Sequence, residues 1–294
     1  MQFPKHIQLR DVTLRDGLQN EPVFVATEEK LRLVSELVQA GFKSLEVTSF
    51  VRSDRILPLR DANEFAKQLP ELEGIEYRAL VPNQRGLSRL LETPVRTAVV
   101  FLSASTAHNE ENVQRTTDES LAIVTDVARR AQSHGVKVVG AIATSFVCPF
   151  IGEVPFEDVR RVAAQLVEAG VSELSIADTI GRATPRMVYE RCEALKLLFP
   201  DVPLALHLHD PRGYGLANVY AGIQAGVYDF DVAQAGLGGC PYAPLAPGNM
   251  RASLVQSFLE DQHIDTALDA ERLVELDASF RKAVSEGQPL SASS

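Results

Sequence analysis

Eight times along this chain a short apolar run is followed by a longer amphipathic one, and that alternation limits the fold more than any other feature. The apolar runs lie near residues 7–13, 43–48, 76–81, 96–102, 136–142, 172–177, 203–209 and 230–235. Helical patterns follow each of them, near 27–40, 59–69, 84–92, 116–134, 155–169, 184–198, 213–226 and 249–261. Strands that alternate with helices through short joins lie parallel, because each crossover returns the chain to the same edge before the next strand starts. Eight such units predict an α/β fold, a closed (β/α)8 barrel, as a single domain over residues 1–286. One more helix, near 269–284, is expected outside the barrel, and the small polar stretch 287–294 is expected to fray. Gly41, Gly135 and Gly170 follow helices as C-caps, and Thr27 and the Thr184-Pro185 pair open them.

Charge and composition exclude several classes. A net charge of −10 argues against a nucleic-acid partner, which needs a basic face. No apolar run approaches the ~18 residues of a membrane span, and the first residues do not read as a signal peptide. The three cysteines, Cys148, Cys192 and Cys240, form no Cys-x-x-Cys pair. A soluble, reduced, cytoplasmic protein is the expectation.

The chemistry concentrates where a barrel of this kind keeps it, at the C-terminal ends of the strands. In the run Leu204 to Asp210, side chains alternate between faces, so His207 and His209 share the face opposite Leu206 and Leu208. Two imidazoles at this spacing can ligate one ion. Asp16, at the end of the first strand, and the carbonyl oxygen of Asn249 are the other expected ligands. A mixed nitrogen and oxygen set suits Mn2+, Co2+ or Zn2+, and suits Mg2+ if waters and substrate oxygens complete its shell. Glu46 sits between Leu45 and Val47, which face the helix layer, so its carboxylate enters the barrel. Burial is costly for it unless it is paired; either Arg10 or Arg15 holds it as a structural ion pair, or it tunes proton transfer beside the metal. Arg15, next to Asp16 in a loop, is placed to stabilise charge developing on an oxygen and is expected to act on catalysis rather than on folding. Cys240, in the run Gly236-Leu237-Gly238-Gly239-Cys240-Pro241-Tyr242, reads as a reactive thiol on a mobile loop. Asn112, after the fourth strand, is a candidate for substrate contact.

Taken together, Arg15-Asp16-Gly17-Leu18-Gln19-Asn20-Glu21, Glu46 to Val51, Asp178-Thr179-Ile180-Gly181, His207-Leu208-His209-Asp210, Gly215-Leu216-Ala217-Asn218 and Gly236 to Tyr242 resemble the 3-hydroxy-3-methylglutaryl-CoA lyase family, in its order and over nearly the whole chain. The Arg-Asp and His-x-His pairs are shared with condensing synthases, but the cysteine-bearing glycine loop marks the lyases. The resemblance implies cleavage of a 3-hydroxy-3-methylglutaryl-CoA-like thioester to acetyl-CoA and acetoacetate, dependent on a divalent cation, Mg2+ or Mn2+ first. It implies a dimer or tetramer and a place in leucine breakdown. Gln19, Ser49 and Thr179 are carried over as substrate contacts with Arg15. Glu46 joins Arg15, Asp16, His207 and Cys240 as a catalytic residue.

In that chemistry the 3-hydroxyl loses its proton to Asp16 or His207, and the electrons pass to the thioester as an enolate facing Arg15. Cys240 then returns a proton to the acetyl carbon under a closed loop. Departures fall around the acyl group. Pro211-Arg212 replaces the usual Thr-Tyr, Ala141 stands where tyrosine is common, Thr144 where cysteine is usual, and the stretch after Asn249 lacks its acid. They leave open a lyase for another 3-hydroxy-3-substituted acyl-CoA, such as citramalyl-CoA or a longer-branched glutaryl-CoA. A condensing synthase and a non-catalytic binding protein on the same scaffold are the remaining alternatives.

Overall fold

The computed structural model describes residues 3 to 238 and 248 to 290. The eight barrel strands are β1 (Gln8–Asp11), β2 (Ser44–Ser49), β3 (Glu76–Leu80), β4 (Thr97–Ser103), β5 (Lys137–Ala143), β6 (Glu173–Asp178), β7 (Leu204–Leu208) and β8 (Asp229–Val232). Each pairs in parallel with its neighbours in chain order, and β1 pairs with both β2 and β8, which closes the barrel. The helices are α1 (Thr27–Gln39), α2 (Ala62–Lys67), α3 (Gln84–Leu90), α4 (Thr106–Val113), α5 (Thr117–Ser133), α6 (Phe156–Glu168), α7 (Pro185–Leu198), α8 (Gly215–Gln224), α9 (Ala252–Asp261) and α10 (Ala270–Ser285). The apolar core fills the space between the strands and this outer ring. Leu45, Leu174, Leu206 and Phe230 from the strands meet Leu37, Leu166, Leu195 and Val255 from the helices, all buried. Fully burying one such side chain contributes about 1.5–3 kcal/mol. None of the described helices is long and apolar enough to cross a membrane.

Four local features escaped the reading of the sequence. α4 intervenes between β4 and α5, a short hairpin joins Val147–Cys148 to Gly152–Glu153, and residues 13–17 coil into a π-helical turn where strand and loop were expected. The stretch expected to fray from Gly287 is tied down as far as Leu290. Gln288 and Pro289 pair antiparallel with Phe24 and Val23, and the Leu290 amide donates to the Pro22 carbonyl at 3.0 Å.

Inside the barrel, the N-terminal ends of the strands carry charge in place of the aliphatic filling usual in such barrels. Arg10 of β1 spans to Glu173 of β6 and Asp231 of β8. Arg78 of β3 bonds Glu173 and Glu76, and Lys137 of β5 reaches Glu76 at 3.1 Å. Each charge buried here has an opposite partner, which is the condition under which burial is tolerated.

Candidate active site

The Arg15-Asp16 pair is positioned by the π turn. The amides of Arg15, Asp16 and Gly17 all point to the Val12 carbonyl, at 3.3, 2.8 and 3.2 Å, so the turn is wider than an α-helix. Such turns recur at functional sites because the extra residue aims two successive side chains inward. The Asp11 carboxylate braces the turn by accepting from the Thr13 amide and hydroxyl, and also from Gln234. Burial pushes the Asp11 acid up to about 6 against these hydrogen bonds. Opposite, β2 bulges between Glu46 and Thr48, and Glu46 enters the barrel as its neighbours required. Its carboxylate bonds Arg15 Nε, and Arg15 Nη1 reaches Asp16 Oδ1 at 2.6 Å. Of the two arginines weighed for Glu46, Arg15 is the partner. Its guanidinium lies between two buried carboxylates, so a share in holding the fold stands beside the catalytic role expected of it.

At the end of β7, His207 and His209 face the barrel mouth together, with their Nε2 atoms 3.0 Å apart. Asp16 Oδ2 lies 3.8 Å from the first and 4.0 Å from the second. A point equidistant from these three atoms lies about 2.1 Å from each, the bond length of nitrogen or oxygen to a first-row divalent ion. Asn249 completes the set. It bridges to His209 as an isolated strand pair, and its Nδ2 donates to Asp16 Oδ2 at 2.8 Å and to the Leu237 carbonyl at 3.0 Å. Those two acceptors fix the amide orientation and leave Oδ1 buried with no hydrogen-bond partner among the described residues. A buried carbonyl oxygen without a donor, beside three converging ligand atoms, fits a cation. Gly238 makes the approach feasible: a Cβ there would meet Asn249 Nδ2 at 2.3 Å, and its φ of +103° belongs to glycine.

The charge states suit ligation. Burial alone would raise the Asp16 acid, but Arg15 and then the two histidines hold it down to about 2, so it is ionised. Burial, reinforced by His207, lowers His209 to about 4, so its ring is neutral and its lone pair available. His207 is raised instead, because Asp231 and Asp16 outweigh its burial. Asp231, whose Oδ2 accepts from His207 Nδ1 at 3.2 Å, was missed in the sequence. Its place two residues after Asp229, facing into the same barrel, was the available signal.

The remaining expected site residues divide. Gln19 joins the cluster, donating to Asp16 Oδ1 at 2.9 Å. Ser49 is buried at the end of β2 and turned back on the Val51 amide, while Thr179 accepts from the amide of Thr144, so both lie at the mouth without touching the donor cluster. Asn112 is exposed on α4; the buried asparagine of that helix is Asn109, which braces Ser103 and Ser120. Asp178 caps the loop after β6 by accepting from the amides of Arg182 and Ala183. Cys240 lies outside the described residues. Both roots of its segment meet at Asp277 of α10, which accepts from the Ala235 amide on one side and from Arg251 and Ser253 on the other.

Residues 6–279 match the family model described as HMGL-like. The chain is 43% identical over 292 residues to hydroxymethylglutaryl-CoA lyase YngG of Bacillus subtilis, covering 99% of this chain and 96% of that one. It is 37% identical to the 3-hydroxy-3-isohexenylglutaryl-CoA/hydroxy-methylglutaryl-CoA lyase of Pseudomonas aeruginosa, over 94% and 92% of the two chains. Among solved structures, an HMG-CoA lyase from Acinetobacter baumannii in complex with coenzyme A and 3-methylmalate superposes with a TM-score of 0.91 at 33% identity, covering 99% and 95%.

Proposed function

Because this chain belongs to the HMGL-like family and is an enzyme of the hydroxymethylglutaryl-CoA lyase type, we propose that its mouth cleaves 3-hydroxy-3-methylglutaryl-CoA or a close homologue with a larger C3 branch. The observation that carries the reading is the convergence of Asp16, His207 and His209, whose donor atoms lie within 4.8 Å of one another, beside the Arg15 guanidinium. The family works with a divalent cation, and Asp16, His207, His209 and Asn249 are the residues that would hold it. Bound there, such an ion would acidify the 3-hydroxyl and fix the substrate oxygens. Mg2+ or Mn2+ is our assignment, because half of this donor set is oxygen.

The chain's own groups do the rest. The hydroxyl proton passes to Asp16 or His207. The C2–C3 bond breaks, leaving acetoacetate and the acetyl-CoA enolate, whose oxygen faces Arg15. Cys240 gives its thiol proton to the acetyl carbon. Glu46 holds Arg15 in place from the far side. We assign this activity to a cytoplasmic homo-oligomer in leucine breakdown. The bacterial relative and the cysteine usage support the location.

Two outcomes test the finer assignments. Thiol-alkylating reagents should inactivate the enzyme with one equivalent on Cys240, and substrate should protect it. Inactivation that tracks Cys148, which is buried, would move the acid to another residue. For the acyl group, Ala141 is half-buried on β5, in register with Phe101 of β4 and Ser175 of β6, and fills little of the mouth. Acetyl-CoA release should therefore be measured with methyl-branched, longer-branched and citramalyl thioesters, each with Mg2+ and Mn2+. A contact of methylene size is worth ~1–3 kcal/mol of discrimination, so a longer C3 branch should match or exceed the methyl substrate in kcat/KM. Ala141→Tyr should restore preference for methyl. A methyl substrate that wins by more than ~10-fold in the unaltered enzyme would rule out the roomier pocket.

A further inference from the structure

Beneath the mouth, the charged barrel interior reaches the donor cluster along one path. Arg10 grips a single oxygen of Asp231 with two nitrogens: Nε and Nη2 both donate to Oδ1, at 2.8 and 2.6 Å. That leaves Oδ2 for His207 Nδ1 at 3.2 Å. Arg10 cannot swing away, because its third nitrogen, Nη1, is held by Glu173, which Arg78 holds in turn at 3.1 Å. Arg10 and Asp231 are 2% and 8% exposed, so water does not compete for these bonds.

We infer that Arg10 and Asp231 are positioning residues that dictate which nitrogen of His207 carries the proton, and through it the affinity of the cluster for a cation. A carboxylate only accepts, so Nδ1 facing Oδ2 must be the donor. Nε2 is then bare and points at His209 and Asp16. A ligating histidine whose other nitrogen donates to a carboxylate is both oriented and made more basic, and loss of such a partner typically weakens metal binding 10–100-fold. Here the arrangement has a second tier. A guanidinium only donates, so whatever replaces Asp231 must turn an acceptor toward Arg10.

This makes the gentlest substitution the most damaging. In Asp231→Asn the amide oxygen is claimed by Arg10, so the NH2 group faces His207 Nδ1. Two donors cannot face each other. His207 must shift its proton to Nε2, where it blocks the metal position. Removing Arg10 as well frees the amide to rotate and offer its oxygen to Nδ1, and the double variant loses one buried cation and one buried anion together. The inference concerns the cation site alone, so it stands or falls independently of the acyl-CoA assignment.

The test is Mn2+ titration of the metal-stripped, full-length protein by calorimetry, with 15N NMR of the imidazoles to read the tautomer. Asp231→Asn should weaken Mn2+ at least ~10-fold and move the His207 proton from Nδ1 to Nε2. The Arg10→Met/Asp231→Asn double variant should bind more tightly than Asp231→Asn alone and carry its proton on Nδ1 again. Arg10→Met by itself leaves Asp231 without its cation and Glu173 with Arg78 alone, and can fail to fold, which is why the double variant decides. Wild-type affinity in Asp231→Asn, or a double variant no better than the single, overturns the inference.

Discussion

Replacing His209 with alanine is expected to remove bound metal and lyase activity together. The substitution deletes one of three donor atoms that lie 3.0 to 4.0 Å apart, and Asn249 Oδ1 alone cannot replace it. Turnover should fall by at least ~10³-fold, the scale seen when one member of an interdependent catalytic set is lost. The fold should survive. Burial keeps His209 neutral, so its removal strands no charge, and Asp16 keeps Arg15. Metal content by elemental analysis, turnover and melting temperature on one preparation check the three parts. Full turnover in chelator-stripped wild-type enzyme would sink the metal assignment at once.

Arg15→Gln carries the second large effect, and it acts twice. As the donor facing the enolate oxygen, Arg15 should contribute at least ~10²-fold to kcat, the usual loss when one oxyanion donor is removed. As the cation between Glu46 and Asp16 it also supports the fold. Breaking a buried pair by deleting one partner costs on the order of 3–5 kcal/mol, because the other charge is left uncompensated. The metal-free variant should therefore melt well below wild type, and divalent cations should recover part of the loss by neutralising Asp16. Adding Glu46→Gln separates the two roles. The double variant should regain melting temperature without regaining kcat, and recovery of both would mean that Arg15 only organises the turn.

The sequence exposed the barrel because each unit carries its own period. Alternating aliphatics mark Leu204 to Leu208 as a strand, and Thr184-Pro185 opens α7 where expected, with the Thr184 hydroxyl accepting from the Met187 amide. The ligands were legible for a related reason: histidines two apart on a strand must share a face. What stayed hidden depends on partners distant in the chain. Arg10 looks like any polar residue in a strand until β6 and β8 close around it, and Asp231 gains its meaning only from His207 across the β7–β8 pairing. The π turn at residues 13–17 has no propensity signature, since Thr, Leu and Arg also suit the expected strand and loop. The ordering of Gln288 and Pro289 rests on Val23 and Phe24, more than 260 positions earlier.

Asp277 has a consequence for how this scaffold can vary. By gathering Ala235 and Arg251 at one carboxylate, it closes a loop before any residue between them has been chosen. The entropy of bringing the ends together is thereby separated from the content of the segment. Doubling the length of an already closed loop costs only about 0.6 kcal/mol. Insertions before Asn249 can accumulate so long as Cys240 is kept and Asn249 keeps its hold on Asp16. Asn249 is held near the far root of that segment, so the stretch before it can change in length without resetting the donors that would hold a cation.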